Sequence, residues 1–356
     1  MNRNLIYSML ALFAISCAKP LQWADPQQPE NSGDMVTVLF RANDERQSKV
    51  TGISDESERA IGRWAVFAFD DSSNWFRYAT SESGGDIPMN LRAGRQYSCY
   101  AIVNYSTSGT GAFVPSTITA PSQLWEKVAY LGDNAVGSLL MFGSITLTPT
   151  PQAQECSISV KRIVSRINIS GIGVDFTGKP YLAEKTFTLR HVYITNAYRT
   201  TLYGYDYAAA DISSGRTAWY NSGGWHRGET GETAMDDLLG QRGINAVLTA
   251  ESPYTVPLSF YAFPNPVSAA DDNHQLDPWT KRCTRLVIEA TLDSETVYYQ
   301  VNVPAMERNH VYSASGIVIR GRGSSDPELI DIDPDVLDVS FDIDDGWDGN
   351  DNELNL

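Results

Sequence analysis

Residues 335–347 read Asp-Val-Leu-Asp-Val-Ser-Phe-Asp-Ile-Asp-Asp-Gly-Trp. Leu337, Val339, Phe341 and Ile343 fall on one side of an extended chain, and Asp338, Ser340, Asp342 and Asp344 on the other. A strand of this kind has one dry face, which must be buried somewhere. Fully covered, the four apolar side chains are worth roughly 1.5 to 3 kcal/mol each, about 6 to 12 kcal/mol before the cost of ordering the segment. The preceding run GRGSSDPE, from Gly321, reads as a Gly and Ser hinge. The host for the dry face is then either the chain's own sheet or that of a neighbouring molecule.

Working outward, the rest of the chain repeats the same signal. Met35 to Phe40 places Val36, Val38 and Phe40 on one face with period two, and Ala65 to Phe69 and Tyr97 to Asn104 are further β-rich runs. A second block opens near Cys156 with CSISVKRIVSRINIS. It continues through FTLRHVYIT from Phe187, SFYAF from Ser259, RLVIEATL from Arg285, VYYQVNV from Val297 and VYSASGIVI from Val311. Turn-forming Ser, Gly, Asn and Asp clusters separate the runs, and each block carries a strand ending in Asp70 or Asn196. Helix is expected only as short turns at Pro121 to Tyr130 and Ala234 to Gly240. The fold class is all-β, two tandem β-sandwich domains followed by an extended C-terminal strand. The expected divisions are a leader at 1–16, a tether at 17–34, sandwiches at 35–152 and 153–323, and a tail at 324–356.

The leader has Arg3, an apolar stretch from Leu5 to Ile15, and the small residues Ala14 and Ser16 just before Cys17. Eleven residues fall far short of the roughly 18 to 20 that span a bilayer, so a cleaved lipoprotein signal with Cys17 as the acylated residue is expected. Removing it leaves roughly 340 residues, natural for two domains. The formal charge is −16, from 27 basic and 43 acidic residues, which argues against nucleic acid and against an electrostatic hold on anionic membranes. Residues 323–356 hold 12 of those acidic residues and none of the basic ones. Cys99, Cys156 and Cys283 are widely and irregularly spaced and are read as core thiols, with one bridge and a leftover thiol as the alternative.

No catalytic constellation stands out. His191, His226, His274 and His310 lack any paired metal-binding spacing, and there is no GxSxG, phosphate loop or dinucleotide fingerprint. No cofactor or metal is expected. The aspartates from Asp331 to Asp348 fail the order of a calcium loop and read as a charged outer strand face.

The order of these segments resembles the fimbrillins of type V pili, the major fimbrial subunit lipoproteins of Bacteroidales type. The resemblance rests on several segments taken in order. They are the signal at Cys17, MVTVLF from Met35 with an arginine-bearing loop after it, MFG from Met141, VKRIVSRINI from Val160, YAFPNP from Tyr261, and ERNHVYSASGIVIRGRGSSDPE from Glu307 ahead of the alternating strand and Trp347. It covers nearly all of the chain beyond the leader. The resemblance implies transthyretin-like sandwiches, export as a lipid-anchored precursor to the outer membrane, and a final place in an extracellular pilus that supports adhesion. It also implies a processing protease that cuts after an arginine behind the first strand, Arg46 by preference and Arg59 next. The removable strand carries Val36, Val38 and Phe40, and the donor strand that replaces it carries Leu337, Val339, Phe341 and Ile343 of another subunit. Partners are then copies of the chain and other pilus subunits. A surface glycan-binding lipoprotein, using Trp219, Tyr220 and Trp225, and a pilus tip or anchor adhesin are the alternative readings.

Overall fold

The structure is a computed structural model describing residues 34–44, 55–72, 74–204, 219–220, 236–272, 282–327 and 335–344. It is built almost wholly of strands, with a few helical turns. The first half comprises β1 (Met35–Asp44), β2 (Trp64–Asp70), β3 (Phe76–Ser81), β4 (Ile87–Arg92), β5 (Tyr97–Val103), β6 (Val128–Tyr130), β7 (Met141–Leu147) and β8 (Gln154–Arg162). Seven of these form one sheet in the order β3-β2-β5-β7-β8-β1-β4. The sheet curls on itself to enclose Val38, Phe40, Trp64, Val66, Met89, Tyr97, Cys99 and Ile158.

Strand β2 is buried along its whole length, with its two faces in different cores. Trp64, Val66 and Ala68 face the inside of the curled sheet, whereas Ala65, Phe67 and Phe69 face outward into a second, larger cluster. That larger cluster runs through Tyr105, Phe113 and Leu131 into the second half of the chain without a break.

The second half comprises β9 (Ser165–Ile169), β10 (Ile172–Val174), β11 (Phe187–Thr195), β12 (Ala197–Tyr198), β13 (Thr200–Leu202), β14 (Trp219–Tyr220), β15 (Gly240–Gln241), β16 (Ala246–Leu248), β17 (Leu258–Ala262), β18 (Arg285–Leu292), β19 (Glu295–Asn302), β20 (Val311–Ile319) and β21 (Leu337–Asp344). One sheet runs β10-β20-β9-β17 with β21 on β20, and the facing sheet runs β15-β11-β18-β19 with β16 on β11. Asp293, at φ 57°, makes the two-residue turn between β18 and β19, a left-handed position that Asn and Asp tolerate best.

The run CSISVKRIVSRINIS is not one strand. Its first part is β8, which belongs to the first sheet through β1 and β7, and its second part is β9, in the second sandwich. The strand that directly follows residue 153 is therefore part of the first sheet. The chain crosses between sandwiches at Ile163 and Val164, both fully buried. A second tie is the antiparallel pairing of β6 with β13. The expected helical turns appear as Pro121–Trp125 and Asp236–Leu239, and further turns form at Asp55–Glu58 and Pro180–Ala183.

Candidate assembly site

Strand β1 fills an interior place. It pairs antiparallel with β4, setting Val36, Val38 and Phe40 against Leu91, Met89 and Ile87, and parallel with β8, setting Phe40 against Cys156 and Ala42 against Ile158. Val38 and Phe40 are fully buried and Val36 nearly so. Together these three side chains contribute about 5 to 9 kcal/mol of burial. Among the described residues β4 hydrogen-bonds no other strand, so loss of β1 would open a slot lined on both sides by unpaired backbone. On the solvent side Thr37 Oγ1 donates to Asn90 Oδ1 at 2.9 Å, and Arg41 reaches Asp86 at 2.7 Å and Glu155 at 2.6 Å.

The end of β1 is held by buried charge. Asp44 accepts two hydrogen bonds from the guanidinium of Arg162, at 3.2 and 2.6 Å, and Arg162 is completely buried. Arg162 also donates from Nε and Nη2 to the carbonyl of Glu58, at 3.2 and 3.1 Å. The Glu58 carboxylate, 1% exposed, pairs with Arg166 at 2.7 Å and accepts a hydrogen bond from the Tyr261 hydroxyl. Burial, reinforced by the Glu58 charge, holds the Tyr261 hydroxyl well above the usual tyrosine pKa. Asn309, at φ 59°, takes the Arg162 amide on its side chain at 3.1 Å and gives its own amide to the Val164 carbonyl at 2.9 Å. The cluster thus joins β1, the helical turn Asp55–Glu58, both strands of the crossover and β17. No sequence motif marks it, although the paired arginines of VKRIVSRINI at the end of one strand and the start of the next were its visible trace.

Strand β21 is held differently. It lies antiparallel along β20 as an edge strand, with a register shift between Ser315 and Val318 where Gly316 takes φ 63°. Leu337, Val339 and Phe341 are half-buried against the larger core, and Ile343 is 51% exposed. Asp338, Ser340 and Asp342 face solvent, as the alternation required. In the single chain, then, the dry face is only partly covered. The expected hinge is docked at its start: Ser324 exchanges two backbone hydrogen bonds with Tyr298, and a Cβ at Gly323 would lie 2.5 Å from the Tyr298 carbonyl oxygen. Gly323 serves the close approach to β19, and beyond Ser324 the chain stays against that strand, with Gln300 Nε2 donating to the carbonyls of Asp326 and Pro327.

Cys17, Arg46, Trp225, His226 and His274 lie outside the described residues. Arg59 directly follows the helical turn and sits 3.9 Å from Asp44. Cys99, Cys156 and Cys283 are buried free thiols. Burial raises the pKa of all three, with Cys283 pushed up to about 12. His191 accepts the Gly243 amide on Nδ1 at 3.0 Å, and His310 packs on Tyr312, both structural roles.

The same double sandwich occurs in a fimbrillin of Porphyromonas gingivalis W83, at a TM-score of 0.61 and 15% identity over 90% of this chain and 99% of that one. The fold is a fimbrillin fold. Candidate cell adhesion proteins of Bacteroides eggerthii DSM 20697 and Parabacteroides distasonis ATCC 8503 share it, each at a TM-score of 0.59 and 15% identity. They cover 89% and 90% of this chain and 97% and 100% of theirs. No protein-family model matches the sequence. No curated protein matches it by sequence. At such low identity the fimbrillin fold is held by the alternation of the strands and by the packing of the cores rather than by particular side chains.

Proposed function

We propose that this chain is a structural subunit of a cell-surface pilus that supports adhesion and assembles by strand exchange. It is exported as a lipoprotein through Cys17, loses β1 to a protease, and receives the β21 segment of another subunit in the vacated slot. The observation that carries this reading is the contrast between the two strands. β1 occupies an interior slot with neighbours on both sides and its apolar face covered, while β21 has the same alternation but rests on a sheet edge with its face half covered. Moving β21 into such a slot gains a second ladder of backbone hydrogen bonds and fuller burial of Leu337, Val339, Phe341 and Ile343.

Arg46 is favoured over Arg59 as the cut. A cut after Arg59 would carry Glu58 away, and with it the carboxylate that stands 2.7 Å from Arg166 and accepts the Tyr261 hydroxyl. A cut after Arg46 leaves Glu58 in place. The test is to treat purified precursor with an arginine-specific protease and follow it by mass spectrometry and electron microscopy. Loss of a defined N-terminal piece ending at Arg46, together with appearance of fibres, is the expected outcome. Clean trimming that leaves only monomers would reject the assembly reading.

A further inference from the structure

Resting on that reading of strand exchange, we propose that Asp86 and Glu155 form an acidic clamp on the slot that selects the incoming strand by charge. Its best-matched occupant is the donor strand of a different subunit, one that carries Lys or Arg on its outward face. Before trimming the clamp holds Arg41, whose Nε lies 2.7 Å from Asp86 Oδ2 and whose Nη1 lies 2.6 Å from Glu155 Oε2. The two carboxylates come from opposite walls of the slot, Asp86 from the residue before β4 and Glu155 from β8. Asp86 continues the ladder in which Phe40 faces Ile87, which sets it beside Arg41, and Glu155 faces Leu39, one diagonal step from Arg41. The hydrogen bond and charge of Asp86, and then the charge of Glu155, hold the Arg41 guanidinium above its ordinary pKa.

Trimming takes Arg41 away and leaves both carboxylates at the solvent face. Nearby outward places are neutral: Thr37 faces Asn90, Leu39 faces Pro88 on the β4 side, and Asn43 faces Ser159, while the base Arg92 stands at the far end opposite Met35. The chain's own tail cannot refill the clamp, because residues 323–356 hold no Lys or Arg. With the apolar side of the tail turned inward, the outward residues are Val336, Asp338, Ser340, Asp342 and Asp344, and any two consecutive ones include an aspartate. The Leu39 and Arg41 places take two consecutive outward residues. Every alignment that fills both from residues 336–344, in either direction, therefore sets an aspartate directly against Glu155 or between it and Asp86. Like charges so placed repel, and at an exposed site salt weakens the repulsion. Copies of this chain join against that repulsion, whereas a strand with a base at either place regains a pair of the kind Arg41 made.

Growth of fibres from the trimmed full chain, followed by light scattering at about 0.02 M and about 0.5 M salt, tests the clamp. Wild type should grow about 3- to 10-fold faster at the higher salt. Asp86→Asn with Glu155→Gln should grow at one fast rate in both. The tail variant Asp338→Lys with Asp342→Lys and Asp344→Lys puts a lysine at one of the two places in every such alignment and adds no arginine for the protease. It should outgrow wild type at low salt, and it should lose that advantage when combined with Asp86→Asn and Glu155→Gln. Equal rates for wild type and the Asp86→Asn, Glu155→Gln variant at low salt, or a lysine advantage that survives neutralising the clamp, would overturn selection by charge while strand exchange stands. Absence of fibres from every variant at both salt concentrations overturns strand exchange itself.

Discussion

Replacing Glu58 by Gln tests whether the buried cluster at the crossover is organised by charge. Gln keeps the shape and can still accept the Tyr261 hydroxyl, but it leaves the Arg166 guanidinium, 2% exposed, without the carboxylate that now stands 2.7 Å away. Breaking a buried pair by removing one partner costs about 3 to 5 kcal/mol, since the desolvated charge that remains has lost a close counter-charge. With a urea m-value of about 3 kcal/mol/M for a chain of this size, the midpoint should fall by about 1 to 1.7 M. Intrinsic tryptophan fluorescence during urea unfolding of the precursor would measure it. Glu58→Gln combined with Arg166→Met should regain at least half of the loss, because a pair replaced by apolar groups of similar volume is close to neutral. A drop smaller than about 1 kcal/mol for the single change, or a double variant no better than the sum of the two single ones, would show that charge pairing is not what holds this junction.

Phe40→Ala should destabilise the precursor by about 3 to 5 kcal/mol in the same assay, and it should have no effect on trimmed protein, from which the residue has gone. Deleting residues 335–356 removes a sheet-edge strand that is at most half-buried among the described residues, so circular dichroism should report an intact β fold while electron microscopy after trimming shows no fibres. Alkaline pH should destabilise the fold. The thiols of Cys99, Cys156 and Cys283 and the hydroxyls of Tyr198, Tyr203 and Tyr299 are all raised by burial. Above about pH 9 for the thiols and 10 for the tyrosines, the unfolded chain releases protons that the folded chain retains. Each such group then lowers stability by about 1.4 kcal/mol per pH unit until its folded pKa is reached, and thermal melts between pH 8 and 11 should fall accordingly.

The strands were legible because their signal is local. Period-two alternation in Leu337 to Ile343 or Val36 to Phe40, and the strand end at Asn196, act through the pleat of the chain and need no distant partner. The helical turn at Asp55–Glu58 was not legible, for its reason to exist is Arg162 and Arg166, more than a hundred residues away. The crossover was hidden for a related reason. The run from Cys156 to Ser170 is uniformly β-rich, and only pairing of β8 with β1 and β7 shows that its first half belongs with the N-terminal sheet.

The amino-acid sequence by itself determined an all-β chain with an acidic, one-sided strand near its C-terminus, since both follow from the spacing of apolar and charged residues. Only the tertiary structure decided that β1 is an interior strand and β21 an edge strand, because a strand's place in a sheet depends on which backbone lies beside it. It also decided that the two sandwiches share one continuous core and a buried ionic joint. Contacts of that range depend on the geometry of the whole fold, and no local pattern carries them.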